Sequence, residues 1–515
     1  MGFKLVALKM PTDFSSDELR HKIERQLRIK EFSYTLQRQS LDARKKHHIH
    51  WSVQVGVSSP QLPGPDSPAH PVLHIPVQKR AKKVIVVGSG PAGFFAAYTL
   101  QRAGFPVTII EQGGQVGDRF KDILEFERTG LLHEQNNYAF GEGGAGTFSD
   151  GKLTSRTKAI SLERDFIFDT YIAAGAPPEI SWLAHPHLGS DNLRKIIKNL
   201  RYTFIQNGGH YLFDTRMGDI VSPKNKSAIE AIETNKGRLQ ADYFVFAVGH
   251  SSTSTYSMLI RSGVPFQVKA FALGCRVEHP QQWINRTQWN TETLPGIKAA
   301  EYRLTYNPEQ GLPVYSFCMC PGGKIVPASV SRGTLIVNGM SNYRRDAVYG
   351  NAAVVAGLHL NHLLNREIEP LEALDWLGQL EEKFYNATHS YKAPASKIGD
   401  FIQGKTSVSC RETSYPFGLK EYDLAELLPA PVSQALKAGL KDFNRKMNGF
   451  DEGTILGLES KTSSPIQAVR DTTGKSISLD NVYISGEGSG FSGGIVSSAA
   501  DGIKAALDII ARNER

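Results

Sequence analysis

The sequence predicts an α/β fold: a doubly wound main domain assembled from separated segments, an α+β domain inserted between those segments, and a small α+β domain in front. Three observations carry this expectation. A strand-length apolar run breaks into spaced glycines and then a helical pattern at residues 84–100, a second unit of the same kind closes the chain at 481–507, and six prolines crowd residues 58–80.

Residues 1–58 make the first unit. Phe3–Lys9 has a strand pattern, Ser15-Ser-Asp-Glu18 fits a capping box opening a helix to about Ile29, and Phe32–Gln37 and Ile49–Val57 are strand candidates. Residues 1–83 hold fifteen Lys or Arg against seven Asp or Glu, a surplus of eight that equals the net charge of the whole chain. A solvated charged surface explains that surplus, and so does a docking site for an acidic partner such as RNA or an acidic carrier protein. The unit carries no recognised RNA-binding signature and offers only Phe32, Tyr34 and Trp51 for stacking, which argues against nucleic acid. Arg44–His50 groups histidines among basic residues without a Cys or acidic ligand at suitable spacing, so no metal site is expected. Residues 59–80 read as a stiff proline-rich linker.

The main domain begins at 81 and its first part extends to 264. After the apolar run Val84–Val87, Gly88, Gly90 and Gly93 fall at G-x-G-x-x-G spacing. Gly88 allows a tight turn, Gly90 lets the backbone approach a pyrophosphate, and Gly93 lets helix pack on strand; Pro91 and Ala92 begin a helix whose N-terminus favours phosphate charge. Val107–Ile110 is a second strand ending on Glu111 and Gln112, with Glu111 eighteen residues beyond Gly93 and placed to accept hydrogen bonds from a ribose. This is a dinucleotide-binding, Rossmann-like unit. Residues 161–175 and 190–207 read as helices, and Tyr211 to Gln240 as a small antiparallel meander.

At the far end, Asn481–Ser485 is a short strand that runs into Gly486-Glu487-Gly488 and on to Ser492, Gly493 and Gly494, after which Ile495 opens a helical pattern. Tyr243 to Gly249, followed by His250, is a third strand-plus-glycine segment. In order, these segments resemble those with which flavoproteins of the glutathione-reductase-like class hold FAD, although Glu487 stands where that class has Asp. Together with Glu459–Pro465, Arg470, Phe140–Lys152 and Cys320–Gly323, they resemble, over nearly the whole chain, a bacterial family of FAD-dependent dehydrogenases, also described as NAD(P)/FAD-dependent oxidoreductases. The resemblance implies a Rossmann-like FAD-binding domain and non-covalent FAD. It puts the glycine-rich stretch 141–152 beside the isoalloxazine and pyrophosphate, with Gly143, Gly144, Thr147, Asp150, Gly151 and Lys152 as contacts. Backbone N–H groups of Ser492, Gly493 and Gly494 would face the flavin pyrimidine, where negative charge develops on reduction. A fold and a cofactor follow from this, not a substrate.

Residues 265–449 are expected to form the inserted substrate domain, with strands at Phe271–Glu278, Tyr315–Met319 and Leu335–Asn338 and helices at about 347–366 and 370–386; residues 450–515 return to the FAD-binding domain. No second complete G-x-G-x-x-G with its acid is present, so NADH or NADPH is expected only as a transient co-substrate. For catalysis, Glu459, Lys461 and Thr462 lie in the segment that related flavoproteins run past the flavin. An ion pair between Glu459 and Arg470 that merely holds the loop explains the same residues. Tyr391 is a candidate proton donor beside Lys392, or the end of a helix. Cys318-Met-Cys320 is too closely spaced for a common redox or zinc motif and reads as structural.

Four cysteines outside any framework spacing, no apolar run of membrane-spanning length and no signal-peptide pattern lead us to expect a cytoplasmic protein. The expected activity is hydride transfer between a small organic molecule and flavin. An FAD-dependent RNA-modifying enzyme and a non-catalytic flavin-bound docking or sensor protein stand as alternatives.

Overall fold

The computed structural model describes every residue except 156, 158, 223–226, 406, 408–411 and 515. Short apolar runs from distant parts of the chain meet in one five-stranded sheet, in the order Val482–Ile484, Tyr243–Phe246, Val84–Val87, Val107–Ile110, His210–Leu212. Every neighbouring pair is parallel. Such a sheet has to be covered on both faces. Val84 and Val86 face a core shared with the helices Pro91–Arg102, Gly189–Gln206 and Ile495–Arg512, whereas Ile85 and Val87 face a core shared with the second, larger sheet. The two glycine-led helices cross in contact because Gly502 has no side chain: a Cβ there would sit 2.0 Å from the Ala92 carbonyl oxygen.

Tyr211 belongs to the edge strand of the parallel sheet rather than to the meander, which comprises Met217–Val221, Ala231–Thr234 and Gly237–Gln240. A three-residue strand is too short to show a period.

The inserted domain is built on an eight-stranded sheet, in the order Thr305–Tyr306, Val314–Pro327, Tyr349–Leu358, Phe271–Pro280, Thr454–Glu459, Ala393–Lys397, Leu419–Glu421, with Val337–Ser341 paired to the end of Val314–Pro327. Two expectations are corrected here. The helix expected over 347–366 is the central strand Tyr349–Leu358 followed by the short helix Leu360–Leu364. Its run Ala352–Ala356 is buried on both faces and paired on both edges, so it shows no alternation, and its alanines imitate a helix. The boundary at 450 also moves. Thr454–Glu459 is an interior strand of the inserted sheet, and Ile466–Ala468 pairs with Phe266–Val268, so the chain returns to the parallel sheet only with Val482–Ile484.

The N-terminal residues form a three-stranded antiparallel sheet, Gly2–Met10, His50–Ser59, Ser33–Asp42, covered by the helix Ser16–Leu27. Ser15 and Glu18 make both halves of the capping box. The edge strand is pinned to the parallel-sheet domain, since Gln39 N donates to the Trp182 carbonyl at 2.7 Å and Ala184 N to the Gln39 carbonyl at 2.9 Å. No helix or strand lies between Ser59 and Val84. The connection is bound to its neighbour: Leu73 and Ile75 pack on the core of the parallel-sheet domain and Arg80 N donates to the Gly104 carbonyl at 3.1 Å. Among the described residues, no helix is long and apolar enough to cross a membrane.

Candidate functional site

A cavity of ≈ 1060 Å³ opens at the carboxyl ends of the parallel strands, against the inserted sheet. That is where the loops after the strands converge in doubly wound folds. One wall comes from the first glycine turn (Gly88, Gly90, Pro91, Ala92), from Glu111 and Gln112, and from Gly249 and His250. The C-terminal segment adds Gly486, Glu487, Gly493, Gly494 and Ile495. The glycine-rich stretch adds Gly144, Asp150, Gly151 and Lys152. The facing wall belongs to the inserted domain, including Glu301, Arg303, Tyr315, Cys318, Asn338 and Arg345.

Two helices aim uncapped N-termini at this space. Gly90 caps Pro91–Arg102 and Gly494 caps Ile495–Arg512, neither with a side-chain hydrogen bond, so the first N–H groups of both remain available to an anion. The backbone is bare there as well. A Cβ at Gly90 would meet nothing nearer than the Gly144 Cα at 3.7 Å, and one at Gly249, Gly493 or Gly494 would meet nothing within 4 Å. Gly93 does a different job: its Cβ would lie 1.9 Å from the Gly88 carbonyl, so it serves packing and does not line the cavity.

Glu111 is buried and fully engaged. Oε2 accepts from Ser89 N at 3.0 Å and Ser89 Oγ at 2.7 Å, and Oε1 accepts from Gly113 N at 3.0 Å and Gly141 N at 3.2 Å. It therefore ties the first turn to the glycine-rich stretch, and rotation of the Ser89 hydroxyl is what would free a lone pair for a ribose. The stretch itself is held by a residue that sequence reasoning missed. Arg119, fully buried, donates to the carbonyls of Asn137, Tyr138, Glu142 and Gly144 at 2.7 to 2.9 Å. Burial pushes its guanidinium down to about 9. Beneath it the Glu142 carboxylate, pushed up to about 7 by burial, accepts from Val116 N at 2.7 Å and lies 3.2 Å from Arg201.

Several expected contacts are corrected by this packing. Gly143 and Thr147 lie in the layer behind the cavity, with the Thr147 hydroxyl where a Gly143 Cβ would be, at 2.2 Å. Ser492 also does not line it, although Gly493 and Gly494 do. Asp150 lines the wall but is committed to Arg345 at 2.6 Å and to the Ser341 hydroxyl. Burial pushes its carboxyl up, yet the charges of Arg345 and Lys152 hold it below the ordinary carboxylate range. Lys152 donates to the Met319 carbonyl and stands 3.9 Å from Glu301.

The proposed ion pair between Glu459 and Arg470 does not form. Glu459 pairs with the fully buried Arg276 at 2.7 Å, whose guanidinium also bonds Asn351 and Asn338. Arg470 pairs with Asp501 at 3.0 Å, and the other oxygen of Asp501 accepts from Gly486 N at 2.8 Å, which fixes the C-terminal glycine turn. Lys461 pairs with Glu381 at 2.8 Å, and the Thr462 hydroxyl is buried without a hydrogen-bond partner among the described residues. Glu459, Lys461 and Thr462 all line the cavity. Tyr391 does not: it is packed among Phe126, Tyr385 and Phe417, and burial pushes its hydroxyl up to about 12. Arg276 and Arg345 carried no sequence signal, because their partners lie far along the chain. Gly502 did, as a glycine inside a helical pattern, which costs about 1 kcal/mol relative to Ala unless something approaches closely.

Residues 270–462 match the family described as FAD-dependent protein, C-terminal domain-like, and residues 86–140 match the NAD(P)-binding Rossmann-like domain. An uncharacterized protein of Clostridium beijerinckii is 38% identical over 492 residues, covering 92% of this chain and 91% of that one. The chain belongs to the same family as this clostridial protein. Solved structures overlay only loosely: CtdE in complex with FAD, 11% identical over 84% of this chain and 85% of that one with a TM-score of 0.36, and a geranylgeranyl bacteriochlorophyll reductase-like protein from Thermoplasma acidophilum, 12% identical over 84% and 79% with a TM-score of 0.38.

The family member is thus a flavoprotein with FAD as its cofactor. The residues present fit that group. Gly90 and Gly144 leave open space at the first helix start, where a pyrophosphate would fit, Glu111 at the end of the second strand would face a ribose, and Gly493 and Gly494 leave the second helix start bare. His250 offers a buried Nε2 that has no hydrogen-bond partner among the described residues, while its Nδ1 is 3.4 Å from Glu487.

Proposed function

We propose that this protein is an FAD-dependent oxidoreductase that passes a hydride between a small or medium-sized organic substrate and FAD. One observation carries the reading: a single cavity has flavin-holding elements on one wall and charged side chains of an inserted sheet on the other. FAD, when bound, supplies the two-electron chemistry. The chain supplies orientation. Arg345 is fixed by Asp150 at 2.6 Å and stands 3.8 Å from Glu301, so its guanidinium is held in place to receive a carboxylate or comparable anion. His250, which lines the cavity with its Nδ1 3.4 Å from Glu487, is the candidate to take up or release a proton. NADH or NADPH is a candidate donor that would enter the same space. Anaerobic stopped-flow mixing with NADH, NADPH and a panel of organic acids and amines tests the reading. Bleaching at flavin wavelengths by at least one donor supports it, and flavin that stays oxidised with all of them refutes it.

A further inference from the structure

The long strand Val314–Pro327 does not run regularly. Its register against Tyr349–Leu358 shifts between Phe317 and Cys320 and again between Cys320 and Gly323, and at the first shift Cys318 adopts a φ of 42°. A left-handed backbone at a residue other than glycine costs energy and has to be held in place by its surroundings. Two cations hold this one. Arg276 donates to the Cys318 carbonyl at 2.8 Å and contacts Cys320 Sγ at 3.6 Å, and Lys152 donates to the carbonyl of Met319 between them. The bulge folds the Cys320 thiol back over its neighbour, where it donates to the Cys318 carbonyl at 3.3 Å. Cys318 is half-buried and lines the cavity, whereas Cys320 is buried behind it.

We propose that Cys318 and Cys320 form a redox-active dithiol that reduces a low-molecular-weight disulfide entering the cavity, Cys318 being the attacking sulfur and Cys320 the resolving one. The accessible cysteine is the one able to meet a substrate, and the buried one is folded back beside it, with its Sγ 3.3 Å from the Cys318 carbonyl oxygen. The neighbouring Cys320 thiol, with the charges of Arg276 and Lys152, holds the Cys318 thiol below the ordinary thiol range, while the nearby Cys318 sulfur and burial push Cys320 above it. In the first step the Cys318 thiolate attacks one sulfur of the substrate. The substrate S–S bond breaks, a mixed disulfide forms on Cys318, and the departing thiolate takes up a proton. In the second step Cys320 gives up its proton and attacks Cys318 Sγ, forming the internal disulfide and expelling the other half of the substrate as a thiol. With the proton that Cys318 released on ionising returned to the departing thiolate from solvent, the substrate gains two electrons and two protons over both steps, one proton from Cys318 and one from Cys320. This exchange needs no electron from FAD and stands apart from the hydride-transfer reading.

The test uses FAD-loaded protein, reduced, desalted and treated with hydroxyethyl disulfide under argon, then quenched in acid, alkylated with N-ethylmaleimide and digested with trypsin. Residues 304–324 form one tryptic peptide that contains Cys318 and Cys320 and neither Cys275 nor Cys410. The proposal predicts that this peptide from the wild-type protein is lighter by two hydrogens and carries no maleimide. In Cys320→Ala the same peptide should retain a mercaptoethanol mixed disulfide on Cys318, and in Cys318→Ala the Cys320 thiol should remain free for maleimide. A wild-type peptide that carries two maleimides after treatment overturns the proposal, whether or not the variants fold. So does a folded Cys320→Ala protein that traps no adduct.

Discussion

Gly502→Ala should loosen FAD binding from the back of a helix, without touching the cavity. The new Cβ would lie 2.0 Å from the Ala92 carbonyl oxygen and 2.8 Å from its carbon, while ordinary contact begins near 3.4 Å, so the helices Pro91–Arg102 and Ile495–Arg512 must part by more than an ångström. Ala92 lies in the first turn of the helix that faces the pyrophosphate, so the two bare helix starts move relative to each other. Overpacking of this kind costs about 1 to 3 kcal/mol, and the better helix propensity of Ala returns about 1 kcal/mol. A net loss of about 1 kcal/mol, felt at the cofactor, corresponds to roughly fivefold weaker FAD binding. Fluorescence titration of apoprotein with FAD measures this, and thermal unfolding reports the rest. A Gly502→Ala protein with wild-type Kd and wild-type Tm would refute the reasoning.

Other expectations rest on single contacts. Glu459→Gln leaves Arg276 charged and buried without its partner, so denaturant unfolding should show a loss of about 3 to 5 kcal/mol. Glu372→Gln, which breaks the exposed pair with Arg366, should leave the denaturant midpoint where it is in wild type. Lys461→Met strands the Glu381 carboxylate, and the double variant Lys461→Met/Glu381→Leu should recover part of the stability lost by the single one, a coupling readable in a double-mutant cycle. His187 is held down to about 4, mainly by burial and then by the charge of Arg345. Its contribution is thus complete above its unfolded value of about 6.5 and is lost as pH falls toward 4. His187→Asn should flatten that acid-side loss in urea midpoints measured across this window.

The parts of the site that were legible in the sequence are those whose geometry is decided within a few residues. Gly88 must turn at a φ of 99°, Gly93 must leave room for the Gly88 carbonyl, and Gly494 must start a helix, so each had to be glycine where it stands. The contacts that were not legible depend on which strands pair. Glu459 meets Arg276, 183 positions away, only because Thr454–Glu459 lies beside Phe271–Pro280, and no local pattern announces that neighbour. Tyr349–Leu358 looked helical for the related reason that a strand buried on both faces loses its alternation. Between Gly141 and Lys152 the resemblance implies cofactor contacts at Gly143, Gly144, Thr147, Asp150, Gly151 and Lys152. The buried part of that stretch, Gly143 and Thr147, shows that a glycine-rich stretch also needs an inner layer, supplied here by Glu142 and Arg119.

The claim that FAD sits between the first glycine turn and the C-terminal helix start is tested most directly at Gly90. A Cβ there meets no protein atom nearer than 3.7 Å, so Gly90→Val should fold, yet its side chain would occupy the space through which a pyrophosphate approaches the backbone. Wild-type protein should be yellow and release its FAD into the supernatant on acid precipitation. Gly90→Val should give a cooperative unfolding transition and no flavin absorbance. A folded Gly90→Val protein that still carries stoichiometric FAD would contradict the account.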